Sequence, residues 1–156
     1  MQIVREVADE LSASCEATQT APEFRRVIVS RETESLVVDL VFDRAPQARP
    51  DKLWFGHVRV DPAEEVFANK LCALLGRAEI RDLVDVRALE RAGLSLREAL
   101  QAGSLKDGGL TPGQLAWVLS QITIGPDAAV PGGVTAAGLS AYLDDLIARL
   151  AALARP

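Results

Sequence analysis

Cysteine, histidine and aromatic residues are all scarce in this chain of 156 residues: two residues are cysteine, one is histidine and 4% are aromatic. Cys15 and Cys72 lie far apart without CxxC spacing, which argues against a disulfide framework and a cysteine zinc site and favours a reducing compartment. His57 has no serine or cysteine nucleophile at a recognisable spacing, so the sequence gives no support to a hydrolytic triad.

Long apolar runs and an excess of positive charge are missing as well. No window approaches the ~18 continuous apolar residues of a membrane span, and the opening MQIVREVADE carries acids where a secretory signal is apolar. We therefore expect a cytoplasmic protein that does not contact a membrane.

Seventeen Lys and Arg against 22 Asp and Glu give a net charge of -5. This charge argues against a surface that binds nucleic acid over its whole extent, but it is compatible with a local basic groove. The many arginines and alanines are typical of a bacterial GC-rich genome.

The first 60 residues predict one short helix and a small sheet. Residues 2–14 place apolar side chains at helical spacing. After a break come two β-branched runs, residues 24–31 and 36–42, which are joined by a hairpin-length connection and read as antiparallel strands. Residues 53–60 hold one further short strand. The second run is apolar on both faces except for Asp39, so we expect that strand to be covered on both sides.

The remainder of the chain predicts helices. Asp61 as N-cap, Pro62 at the first helical position and Glu64 closing a capping box mark the start of the first long helix. We expect Gly132 and Gly133 to lie in the loop that leads into the last helix, with Thr135 as the N-cap of that helix. Ser95 and Glu98 form another capping box, and Thr111 followed by Pro112 marks one more helix start. Helices are expected at residues 62–76, 79–92, 95–102, 111–120 and 135–153.

The order of these elements predicts an α+β fold. Residues 1–60 would form a small, partly antiparallel sheet with its opening helix, and residues 61–156 a C-terminal helical bundle packed as one unit. The apolar stripe of residues 142–150 would close either the bundle or a homodimer.

Several charges fall on faces that the pattern predicts to be buried. Lys70 and Arg77 lie two turns apart on the apolar stripe of the first long helix, where unpaired cations would cost several kcal/mol. Asp82 and Asp85 share one face of the next helix, which follows after a tight turn. We expect these four side chains to converge, with Asp39 facing the same cavity.

A structural interpretation of the same charges remains open. Lys70 and the two aspartates would then be ion pairs that tie two helices together, since structural networks perturb charges as active sites do. Asp39 would be a solvent-facing residue of an edge strand.

Residues 60–85, VDPAEEVFANKLCALLGRAEIRDLVD, resemble the abortive-infection AbiEii/AbiGii-type nucleotidyltransferase toxins. The family pattern there is a helix with K-L-x-A-L-x-x-R followed by R/K-D-x-x-D. The strand LVVDLVFD at residues 36–43 looks like a later strand of the family's catalytic sheet. The resemblance covers residues 23–105 well and the rest loosely.

This resemblance implies a toxin that transfers a nucleotidyl group from a nucleoside triphosphate to an acceptor such as tRNA, with a separate antitoxin as partner. Strand carboxylates would hold Mg²⁺ while cations bind the triphosphate oxygens. Carried over by position, the resemblance makes Asp39 a catalytic metal ligand, Lys70, Asp82 and Asp85 further catalytic residues, and Lys70, Arg77 and Arg81 the nucleotide-binding residues.

The family's Gly-Gly-Ser/Thr turn and Asp-x-Asp strand have no match ahead of Asp39. One carboxylate of three supplies too little anionic oxygen for Mg²⁺ and nucleotide. A truncated gene, a degenerate protein and a module completed by another chain would each explain this, and in each case we expect the chain alone to be inactive. The alternative is a non-catalytic interaction or remnant domain whose charged cluster is structural.

Overall fold

The computed structural model describes residues 1–155, which form two compact units, one of residues 1–44 and one that begins at residue 45. The sequence-based boundary lies later, at residue 60. The short strands that precede the long helices therefore group with those helices.

The first unit is a three-stranded antiparallel sheet with one helix. Helix α1 (Gln2–Glu10) precedes strands β1 (Ser14–Ala21), β2 (Phe24–Arg31) and β3 (Glu34–Val41), which lie in the order β1-β2-β3. The central strand β2 carries Val27, whose side chain is fully buried. The predicted helix and the hairpin of two β-branched strands are both present.

Two expectations about this sheet are wrong. Strand β1 begins at the last residue of the predicted helix and runs into the break predicted at residues 18–22. It was not expected because its polar string SCEATQTA lacks the apolar alternation by which strands are recognised. Its register with β2 shifts between Ala17 and Gln19. Strand β3, an edge strand, is not covered on both sides, since Leu36, Val37 and Val41 are exposed.

The second unit opens with a two-stranded hairpin and continues with five helices. Strands β4 (Leu53–Phe55) and β5 (Val58–Val60) pair across a two-residue turn in which Gly56 has φ +60°, where the sequence predicted a single strand. The helices are α2 (Ala63–Arg77), α3 (Ile80–Arg91), α4 (Leu96–Lys106), α5 (Pro112–Leu119) and α6 (Ala136–Leu153).

Three of these helices begin as their caps predict. The side chains of Ser95, Thr111 and Thr135 each accept a hydrogen bond from the backbone N–H three residues later. The predicted cap of α2 is wrong, because Pro62 takes the N-cap position and the Asp61 carboxylate pairs with Lys52, Oδ1 to Nζ, at 2.6 Å.

The hydrophobic core of the second unit is built mainly from leucines that α2 to α6 contribute. The protein is thus an α+β protein with small antiparallel sheets and mostly C-terminal helices. Across residues 1–155 no helix is long and apolar enough to span a bilayer. The fully buried leucines of this core are Leu71, Leu74, Leu83, Leu115, Leu119, Leu139, Leu146 and Leu150.

Candidate functional site

The turn between α2 and α3 sets the position of the charged residues that follow the family-like pattern. Helix α2 ends at Arg77, and Ala78 adopts the left-handed conformation with φ 49° and ψ 41°. Glu79 then caps α3 in an extended conformation. Because only two residues separate the helices, the last turn of α2 lies beside the first turn of α3.

Four side chains meet at this turn, and we call Lys70, Arg77, Asp82 and Asp85 the Asp82 cluster. The Lys70 Nζ lies 2.8 Å from Asp82 Oδ1 and 2.5 Å from Asp85 Oδ2. Arg77 donates from Nε to Asp82 Oδ2 at 2.8 Å and from Nη2 to Asp82 Oδ1 at 3.1 Å. The Asp82 carboxylate therefore binds a lysine and an arginine at once.

Burial within the Asp82 cluster is uneven. Asp82 is 0% exposed, whereas the side chains of Lys70 and Arg77 are 26% and 47% exposed. The aspartate is thus the buried centre, and the two cations reach it from the solvent side. This agrees with the argument that cations on an apolar stripe need an anionic partner.

Hydrogen bonding keeps the cluster ionised. Burial of Asp82 opposes its charged form, but the hydrogen bonds from Arg77 and Lys70 outweigh this and lower its pKa. Partial burial likewise opposes the charged form of Lys70, yet its bonds to Asp82 and Asp85 raise the lysine pKa. The cluster pairs two cationic side chains with two carboxylates, so their formal charges cancel.

This charge state limits what the Asp82 cluster can do chemically. A lysine with a raised pKa is a poor general base, and a carboxylate with a lowered pKa is a poor general acid. The geometry is the one expected of ion pairs that join two helices. The roles of these residues in catalysis and nucleotide binding stay predictions.

The last of the predicted nucleotide-binding cations has a different partner. Arg81 Nε lies 2.6 Å from Glu79 Oε2, and the arginine side chain is largely exposed. Its charge is therefore balanced at the surface and not by Asp82.

Asp39 lies in the first unit and is bound within its own sheet. Arg26 on the neighbouring strand donates from Nε and Nη2 to the two Asp39 oxygens, each at 2.8 Å. These hydrogen bonds lower the pKa of Asp39. The carboxylate is consequently an anion whose two oxygens already receive donors from one guanidinium.

A magnesium ion does not fit the side chains around Asp39. Mg²⁺ requires octahedral oxygen ligands, usually one or two carboxylates together with substrate phosphates. Nowhere in the described part of the chain do three or more His, Cys, Asp or Glu side chains form a group able to hold a metal ion. Asp39, which is the only carboxylate that the family resemblance assigns to the metal and is already paired with Arg26, does not make a magnesium site by itself.

Sequence reasoning missed a buried ion pair between α2 and α4. Lys106 pairs with Glu65, and their side chains are only 4% and 1% exposed. Lys106 Nζ also donates to the Pro46 carbonyl at 2.8 Å, and Glu65 Oε2 accepts from the Arg49 backbone N–H at 2.7 Å. The pair thus anchors the loop before β4. A helical wheel could have found Glu65, which shares a face with Ala68.

A second network, between α3 and α6, was missed as well. Glu90 accepts from Arg149 Nη1 at 2.6 Å, from Arg149 Nη2 at 2.9 Å and from the Tyr142 hydroxyl at 2.5 Å. Burial opposes the charge on Glu90, but these donors outweigh it and lower its pKa. The Glu90 contacts join α3 to α6, and no sequence pattern marks a contact between residues so far apart.

A family model described as "Nucleotidyl transferase AbiEii toxin, Type IV TA system" matches residues 3–149. No curated protein and no solved structure matches the chain.

Proposed function

This chain belongs to the AbiEii family of nucleotidyl transferase toxins, and from that premise we propose that it is a degenerate form of an enzyme that transfers a nucleotidyl group from a nucleoside triphosphate to an acceptor such as tRNA. Its setting would be a cytoplasmic toxin–antitoxin pair. We propose further that the polypeptide by itself does not perform the transfer.

The pairing of Asp39 with Arg26 carries the second part of this proposal. A carboxylate whose charge is already balanced by a guanidinium that donates to both of its oxygens is a weaker ligand for a metal ion. The Asp-x-Asp string that would supply further carboxylates does not occur ahead of Asp39. Mg²⁺ and a triphosphate together therefore have too few anionic protein ligands in this chain.

A transfer assay tests the proposal directly. The purified chain is incubated with Mg²⁺, each labelled nucleoside triphosphate and total tRNA, and we expect no label on the RNA. Calorimetry with Mg²⁺ and ATP should give dissociation constants in the millimolar range at best, and Asp39→Asn should bind as weakly as the unchanged chain. Magnesium-dependent labelling, or tight binding that Asp39→Asn removes, would contradict the proposal.

The Asp82 cluster favours a second candidate, a non-catalytic interaction domain in the same toxin family. Asp82 is fully buried and binds two cations, an arrangement that suffices to fasten α3 to α2 without any ligand. In that case Lys70→Met would change stability and leave partner binding intact. A ligand role for Lys70 would instead appear as weaker nucleotide binding at unchanged stability.

A further inference from the structure

Two arginines of α3 differ from the cations of the Asp82 cluster in having no carboxylate partner. Within residues 1–155, Arg87 and Arg91 form no ion pair, whereas Lys70 and Arg77 are bound to Asp82. Arg87 and Arg91 lie four residues apart, so they occupy the same helix face one turn from each other. Their charges are therefore available to a ligand.

Both arginines line one groove of the second unit, of about 770 Å³, between α3 and the chain that leads into α6. The opposite wall includes Gly132 and Gly133, whose φ angles of 72° and 69° suit glycine. These two glycines therefore project no side chain into the groove, although Val134 and Thr135 of the same segment also line it. A Cβ at position 132 would approach Val84 Cγ1 to 3.4 Å.

The charge balance of this groove is positive. Asp85 is the only carboxylate among the residues that line it, and its Oδ2 is taken by Lys70 Nζ at 2.5 Å. Glu90, on the same helix, is held by Arg149 and Tyr142. Two unpaired guanidinium groups thus face an open groove whose one acid is already neutralised.

The chemistry of the lining favours a phosphate chain without base recognition. No aromatic residue lines the groove, so it has no platform on which a base could stack. Arginine guanidinium groups match phosphate oxygens in pairs, and two of them one turn apart suit successive anionic groups. A local groove of this kind is compatible with the net charge of -5.

We infer that the groove between Arg87 and Arg91 of α3 and the Gly132–Gly133 loop binds the phosphate backbone of RNA. The choice of RNA rests on the proposed function, which takes an RNA as acceptor. The contact itself involves neither Mg²⁺ nor the transfer step.

Fluorescence anisotropy with labelled tRNA tests this inference. We expect the double variant Arg87→Ala/Arg91→Ala to bind on the order of tenfold more weakly, and the slope of log affinity against log salt, between ~50 and ~200 mM, to become shallower by about 1.4 to 1.8. Arg87→Lys/Arg91→Lys keeps the charges and should retain most of that slope.

The matched control is Arg97→Ala/Arg155→Ala. It removes the same charge from two other arginines that form no ion pair within residues 1–155, and we expect it to bind tRNA as the unchanged chain does. Equal losses in the two alanine variants, or no binding by the unchanged chain at ~50 mM salt, would overturn the inference.

Competition separates RNA from a free phosphate compound. Inorganic triphosphate, at equal phosphate concentration, should displace labelled tRNA less well than unlabelled tRNA does. Equal displacement would overturn the assignment to RNA. Labelling of the tRNA in the transfer assay would refute the proposed inactivity of the chain and leave this binding result unaffected, so the two failures are distinguishable.

Discussion

Replacing Lys70 by methionine should destabilise the second unit, because it removes one of two cations from a fully buried carboxylate. Breaking a buried ion pair costs about 3–5 kcal/mol when the remaining charge is left uncompensated. Arg77 still donates two hydrogen bonds to Asp82, and the Lys70 side chain is 26% exposed. We therefore expect a loss of about 1–2 kcal/mol, while the methionine stem keeps the packing of the lysine stem.

Urea unfolding followed by tryptophan fluorescence measures this loss in the right part of the chain. Trp54 and Trp117 both lie in the second unit, so their emission reports its unfolding and not that of residues 1–44. With a slope of about 2 kcal/mol per molar urea, the midpoint of Lys70→Met should fall by about 0.5–1 M. Arg81→Met is the matched control, because its ion pair with Glu79 is exposed, and it should change stability by no more than about 0.5 kcal/mol.

A double-mutant cycle decides whether the loss arises from the pair with Asp82. Lys70→Met and Asp82→Asn should together cost less than the sum of their separate effects, by about 1 kcal/mol. A Lys70→Met variant as stable as the unchanged chain, or a cycle with no coupling, would refute the idea that Lys70 neutralises Asp82.

Two further predictions concern the networks that sequence reasoning missed. Lys106→Met should lower the free energy of unfolding by about 3–5 kcal/mol, because Glu65 is buried and would keep only the Arg49 backbone donor. This loss, measured by urea unfolding, should exceed that of Lys70→Met. An equal or smaller loss would contradict the prediction. Because its partners lower the pKa of Glu90, its contribution is complete above the ordinary carboxyl pKa of about 4.3 and is lost as the pH falls through the lowered value. Urea midpoints should be measured at a series of pH values from about 6 down to about 3. The midpoint should fall less steeply with decreasing pH for Glu90→Gln than for the unchanged chain. Parallel curves would contradict the role of Glu90.

The helices could be predicted from sequence because their signals are local. Ser95, Thr111 and Thr135 accept hydrogen bonds from backbone groups only three residues away, so the residue type alone indicates the cap. Asp61 shows the limit of such signals. It has the right type and position for a cap, but a lysine from the preceding hairpin region takes its carboxylate.

The sheet was less predictable because strands depend on neighbours distant in sequence. Strand β1 is polar and is defined by its pairing with β2, which a hydrophobic pattern does not encode. The apolar string of β3 suggested cover on both faces, yet most of its residues are exposed. Composition describes a strand's side chains, and the elements that pack on each face of the sheet decide which of them are buried.

The candidate site was predictable in part, because some of its contacts are local in sequence and others are not. The sequence predicted that Lys70, Arg77 and Asp82 lie close together, because two helices joined by a tight turn must pack as neighbours. Whether a cation can bind a ligand depends on which carboxylates already pair with it in the folded chain. Asp82 occupies Lys70 and Arg77, whereas Arg87 and Arg91, further along α3, have no carboxylate partner within residues 1–155 and line an open groove. The residues that carry the family-like pattern and the residues best placed to bind RNA are therefore different, and substitutions at each set should separate stability from binding.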